Sequence, residues 1–170
     1  MIGAKFGSFN MQDPTAGVWL ISADVFSAPE NQIQADALPE TDGSLIVQQR
    51  FGSKTFTASG RLRTTTRTGL EALMDTFKLA MSQKNQPFDI DFGGGVRRYL
   101  ANSQNVTIVD SGLTTASYSV QFLSPDGMGW DVNSSSLITP TGITTSTSLI
   151  PLTVGGTYKA EPIITLALNT

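Results

Sequence analysis

A mainly β fold with one helix packed on its strands is what this sequence predicts. Three observations carry that reading: helical periodicity confined to Thr68 through Lys84, two-residue alternation in the segments on either side, and turn-forming Gly, Asn, Asp and Ser residues between those segments.

The helix has the clearest signals. Leu70, Leu73, Met74, Phe77 and Met81 recur at helical spacing, whereas Glu71, Asp75, Lys78 and Gln83 lie largely off that stripe, which describes a helix covering a sheet. Thr68 and Glu71 have the spacing of a capping box, in which the Thr68 hydroxyl accepts from the Glu71 N–H. Lys78 and Lys84 suit the negative pole of the helix dipole, Asn85 tolerates a left-handed conformation, and Pro87 cannot continue the ladder.

From the N-terminus, residues 1–14 show little periodicity, and Gly3, Gly7 and Pro14 predict a loop or an edge strand, mobile before assembly. GVWLISA, residues 17–23, is an apolar run of strand length that reads as buried on both faces. Residues 28–37 are polar, and the Asp42-Gly43-Ser44 turn then feeds the strand SLIVQQRF. After a second turn at Gly52-Ser53-Lys54, Phe56, Ala58, Gly60 and Leu62 alternate with Thr55, Thr57, Ser59, Arg61 and Arg63. Residues 44–63 therefore predict an antiparallel hairpin with Leu45, Val47, Phe56 and Leu62 packing inward.

Beyond the helix, Phe88, Ile90 and Phe92 alternate with Asp89 and Asp91, and Gly93-Gly94-Gly95 turns the chain into VRRYLANSQ as a second hairpin. NVTIVD is a further strand, and the Ser111-Gly112 turn leads to TASYSVQFLS, where Ala116, Tyr118, Val120 and Phe122 share a face. Pro125-Asp126-Gly127 closes this unit. Residues 133–157 are rich in Ser, Thr and Gly and predict a linker or arm, before a terminal apolar strand, Pro162 to Leu168.

Composition narrows the function. A 170-residue chain suits one domain, or a domain with an appendage. With no cysteine there are no disulfides, thiolate metal sites or cysteine nucleophiles. With no histidine, the commonest metal ligand and general base is missing, which argues against an enzyme. Only 15 % of residues are charged and the net charge is −3, which suggests neither a nucleic-acid binder nor an acidic disordered tail. No apolar run approaches a membrane span, and the N-terminus lacks a signal-peptide core.

Particular residues invite sharper readings. Gly93-Gly94-Gly95 lacks the lysine, the following Ser or Thr and the downstream helix of a phosphate-cradling loop, so a hairpin turn is favoured. Asp89 and Asp91 share a strand face and could flank a sugar or hold Ca²⁺, although such pairs are usually the solvated side of a strand. Arg61, Arg63, Arg67, Arg97 and Arg98 supply most of the positive charge, either as a cluster facing acidic groups of a neighbour or scattered towards solvent. Trp19 reads as a packing residue, while Trp130 fits either packing or a sugar stack.

The order of these pieces resembles a known family. A DGS turn before a strand, a hairpin strand, a capped LEALMDTFKLAM helix, a PFDIDF strand, an Arg-Tyr strand and SYSVQFLSPDGMGWD together resemble the N-terminal domain of the distal tail proteins of long non-contractile-tailed phages, over roughly residues 1–132. GTYKAEPIITLAL looks like the first strand of the galectin-like sandwich in longer members.

The resemblance implies an antiparallel β-sandwich with a packed α-helix and a protruding β-hairpin, related to tail-tube folds. It divides the chain into a ring-forming domain, 1–132, and an arm with a terminal strand, 133–170, possible start of a second sandwich. It implies a virion structural protein assembled in the host cytoplasm, without catalysis or cofactor. Its partners would be further copies of itself in a ring, usually a hexamer, the tail-tube protein, a tail-tip or fibre-bearing protein and the tape-measure protein. DNA would pass through without specific binding, and no membrane is involved.

Interface candidates are Leu45, Val47, Arg50, Phe56, Arg61 and Arg63 along the predicted hairpin, together with Arg97 and Arg98. The hairpin is either a belt reaching a neighbour or an internal element of the sandwich. A tail-tube or tube-terminating adaptor is the near alternative. A carbohydrate-binding β-sandwich module is the alternative from another class, with a β-sandwich hydrolase behind it.

Overall fold

The computed structural model describes residues 3–37 and 44–132. In chain order the strands are β1 (Gly3–Phe6), β2 (Phe9–Asn10), β3 (Val18–Ala23), β4 (Asn31–Ala37), β5 (Ser44–Phe51) and β6 (Lys54–Arg63). Helix α1 (Arg67–Met81) follows, then β7 (Gln86–Asp91), β8 (Val96–Asp110), β9 (Thr115–Ser124) and β10 (Trp130–Asp131). The expected arm and terminal strand of 133–170 lie outside the described residues, as does the Asp42-Gly43 turn.

The fold class is as predicted: antiparallel strands in two layers with one helix among the described residues. One layer runs β2-β1-β7-β8 and the other β3-β6-β9-β8. Strand β8 belongs to both, pairing β7 through Val96–Ala101 and β9 through Asn102–Asp110. The register shifts between Ser103 and Asn105, and such an irregularity bends a strand so that it can pass from one sheet to the next. The sequence reading divided this stretch into two strands because its run of polar residues, Asn102 to Asn105, interrupts the apolar alternation. Backbone pairing carries the strand through.

Aromatic rings join the layers. Phe6 and Phe88 of one sheet meet Phe122 of the other, each with centroids 5.0 Å apart, and Phe56 lies 5.0 Å from Phe88 and 5.4 Å from Phe122. All four rings are buried. The two-residue alternation of Phe56, Ala58 and Leu62, and of Ala116, Tyr118, Val120 and Phe122, places each set on the core face, as expected. Burial of such side chains stabilises by about 1.5–3 kcal/mol each.

The helix plugs the gap between the sheets. Leu70, Phe77 and Met81 are buried, and the Phe77 ring reaches Phe9 of one layer, centroids 5.5 Å apart, and Tyr118 of the other at 4.6 Å. Its limits differ from those predicted. Thr66, in extended conformation, is the N-cap, its Oγ1 accepting from the Gly69 N–H at 3.1 Å. Thr68 lies inside the first turn, and Glu71 pairs with Arg67 at 2.9 Å instead of closing a capping box. The TTTRT run offers several cap-competent hydroxyls, and the packing of Leu70 selects Thr66. Asn85 does adopt the left-handed conformation, with φ 51°, where the chain enters β7.

Other expectations give way to tertiary context. Of the two alternatives for the N-terminal segment, the edge strand is the one found: β2 ends the sheet order, β1 pairs with β7 on one side and β2 on the other, and Phe6 and Met11 are fully buried. Strand β3 is buried on one face only, with Val18 and Leu20 inward and Ile21, at the register shift between Leu20 and Ser22, 57 % exposed. The polar stretch 28–37 contains strand β4.

Candidate interaction surface

The hairpin expected from residues 44–63 does not form. Strand β5 pairs with β4, while β6 pairs with β3 and β9 inside the sandwich. Two-residue hairpin turns need positive φ, and Gly52 is absent from the glycines with positive φ. The chain therefore runs on from β5 into β6, and Phe56 and Leu62 enter the core.

Strands β4 and β5 instead form a separate two-stranded sheet. Every residue of β5 is exposed, so Leu45 and Val47 do not pack inward. Ile33, Leu45, Ile46 and Val47 are each more than half exposed, at 55–58 %. The register shows how they are arranged. Ile33 opposes Gln49, and Gln34 opposes Gln48, but Ala35 opposes Ile46, leaving Val47 as an extra residue on β5. Opposed residues share a face and alternate residues of β4 share a face, so Ile33, Ala35 and Ile46 lie together with Gln49, and Val47 sits at the bulge beside them. The other face carries Gln32, Gln34, Gln48 and Arg50, where Arg50 Nε donates to Gln32 Oε1 at 3.1 Å. One face thus groups the exposed Ile33 and Ile46, whereas the other is amide-rich and also carries Leu45, opposite Asp36.

The remaining predicted interface residues separate. Arg61 and Arg63 are exposed on the outer face of β6, opposite Ser117 and Thr115 of β9. Arg98 grips Asp89 across β7 and β8 with two bonds of 2.6 and 2.7 Å. That pairing occupies the Asp89 carboxylate, and Asp91 accepts from the Gly93 N–H at 2.7 Å, which disfavours a sugar or Ca²⁺ role for the two acids. Gly93 and Gly95, with φ of 99° and 120°, make the expected hairpin turn. Arg97 and Arg98, being adjacent on a strand, point to opposite faces. Trp19 is half-buried opposite Arg61, and Trp130 is exposed opposite Arg98. The arginines are spread over different elements: Arg50 on β5, Arg61 and Arg63 on β6, Arg67 on α1, and Arg97 and Arg98 on β8.

Sequence reasoning missed the root of the arm. Lys54 is only 5 % exposed, its Nζ donates to the Val25 carbonyl, and it stands 5.2 Å from the centre of the Tyr99 ring. The sequence places Lys54 in the Gly52-Ser53-Lys54 turn, and a lysine in a turn normally reads as solvated. Burial lowers its pKa from the ordinary 10.5, with Asp24 opposing the shift and Arg97 adding to it.

The sign of the pH dependence follows. An unfolded chain holds that proton more readily, so stability rises as pH increases through the folded pKa towards 10.5. Tyr99 and Tyr118 act oppositely: burial raises both above 10.0, so the stability they contribute is present below 10.0 and is lost at higher pH. Urea midpoints measured from about pH 7 to 11 are expected to climb and then fall, and Lys54→Met is expected to remove the climb.

No family model matches this chain, and no curated protein matches it. Among solved structures, the fold is that of the SPP1 Dit (gp 19.1) protein, with a TM-score of 0.60 at 12 % sequence identity. The likeness covers 77 % of this chain and 52 % of the SPP1 chain, so this chain spans about half the length of that one. The SPP1 protein is described as a paradigm of the hub adsorption apparatus in phages infecting Gram-positive hosts.

Proposed function

We propose that this chain is a structural subunit of a phage tail, forming a ring, expected to be hexameric, at the distal end of the tail tube. The ring joins the tube to the tail-tip or fibre-bearing protein, adjoins the tape-measure protein, and lets DNA pass without binding it specifically. Residues 1–132 act as the ring-forming domain, in the virion tail, after assembly in the host cytoplasm. Its work is geometric, requiring neither cofactor nor catalysis.

The observation that carries this reading is the β4–β5 arm. A two-stranded hairpin is marginal in water without a surface to pack on, and this one exposes Ile33, Ile46 and Val47 on or beside one face. An arm that packs on the body of a second copy makes a head-to-tail contact, and such contacts close into rings when the rotation permits. The likeness to the SPP1 hub protein supports the same assignment.

Light scattering and negative-stain imaging test it. A closed particle of about six subunits with a central hole is the expected result. A strict monomer at every concentration, still unassembled with candidate tube and tip proteins, would overturn it. Ile46→Asp is expected to abolish the ring while changing the unfolding free energy of the unassembled chain by no more than about 0.5 kcal/mol, because the site is exposed in the single chain.

A further inference from the structure

We propose that Lys54 and Tyr99 are positioning residues that clamp the Val25 carbonyl and so set the direction in which the β4–β5 arm leaves the sandwich. This rests on the reading of that arm as the surface offered to a neighbouring copy.

The arm is tied to the body by two legs. Val25 to Glu30 lead into β4, and Gly52 and Ser53 lead out of β5 into β6. Gly52 N–H donates to the Glu30 carbonyl at 2.7 Å, which closes the legs against each other. Below that bond, Val25 is 1 % exposed, and its carbonyl oxygen accepts from both Lys54 Nζ and Tyr99 Oη, the latter at 3.2 Å. Two donors use both lone pairs of that oxygen. They come from different places, since Lys54 begins β6 and Tyr99 lies on β8, so the first leg is fixed to both halves of the sandwich.

A third wall comes from the loop after β9. Gly127 has φ +66°, and a Cβ there would stand 2.6 Å from the Gly52 carbonyl oxygen and 2.9 Å from Pro29 Cβ. The loop thus abuts both legs. A Cβ at Gly129 would stand 2.5 Å from the Tyr99 ring, so the same loop also confines the side chain that holds Val25.

The choice of lysine is informative. A buried ammonium is costly, and an apolar residue of similar length would fill the space more cheaply. What lysine adds is a directional, charge-assisted donor to one carbonyl, with Asp24 nearby to favour the charge. Its effect is therefore on orientation more than on total stability.

Hydrogen exchange read by mass spectrometry on the whole chain distinguishes orientation from bulk stability. Lys54→Met combined with Tyr99→Phe is expected to speed exchange of the Gly52 and β4 amides by about tenfold or more while β6 and β9 amides keep their parent rates. Each single variant is expected to give a smaller acceleration at the same amides. Arm amides exchanging at the parent rate, or accelerating only in step with the core, would overturn the clamp. The comparison is internal to each sample, so it stands whether or not the chain forms a ring. Light scattering on the parent decides the ring separately.

Discussion

Phe122→Ala is expected to destabilise the fold by about 3–5 kcal/mol, enough to unfold a marginal domain at room temperature. Phe122 is fully buried and its ring meets Phe6, Phe56 and Phe88, so the substitution empties the point where the two sheets touch. No exposed segment can collapse into that space, because its neighbours are themselves held in β-strands. Urea unfolding followed by tryptophan fluorescence measures it. A loss under about 1 kcal/mol would mean the rings do not form a shared core.

Gly60→Ala is the second large effect, expected at about 2–3 kcal/mol although it adds only one methyl group. Gly60 sits in the middle of β6, between Leu20 of β3 and Tyr118 of β9. The Tyr118 side chain passes over it to donate from Oη to the Trp19 carbonyl at 3.2 Å. A Cβ at residue 60 would lie 2.0 Å from that carbonyl oxygen and 2.4 Å from Tyr118 Oη. The oxygen belongs to the backbone of a paired strand, so it cannot swing aside as a side chain would. Relief requires β3 to move or the phenol to leave its buried position. Loss of Tyr118 protection in the fluorescence or exchange of the variant, with a lowered urea midpoint, is the expected outcome; an unchanged midpoint would show that β3 adapts freely.

How much of this was legible in the sequence varies by element. Phe56, Leu62, Tyr118 and Phe122 could be assigned to a buried face from alternation alone, because the side-chain period of a strand is imposed by its backbone. The helix could be found from Leu70, Phe77 and Met81 for the equivalent reason. Its cap could not, since Thr66 and Thr68 differ only in which one the packed stripe leaves at the boundary. Arm residues Leu45 and Val47 look identical in sequence to core residues such as Val18 and Leu20. Nothing local says that their strand leaves the body.

Pairing was the hidden quantity. The sequence assigned β5 to β6 because they are adjacent, whereas Gly52 lacks the turn geometry and the polar β4 supplies the partner. The role of Lys54 depends on Val25, distant in the chain, and on Tyr99, more distant still. By itself, then, the sequence determined the fold class, the helix and the inward faces of β6 and β9, all of which follow from periodicities within single segments. Only the tertiary structure decided which strands meet, which apolar residues stay outside and where the arm is anchored, because those depend on hydrogen bonds and steric exclusions between segments far apart in the chain.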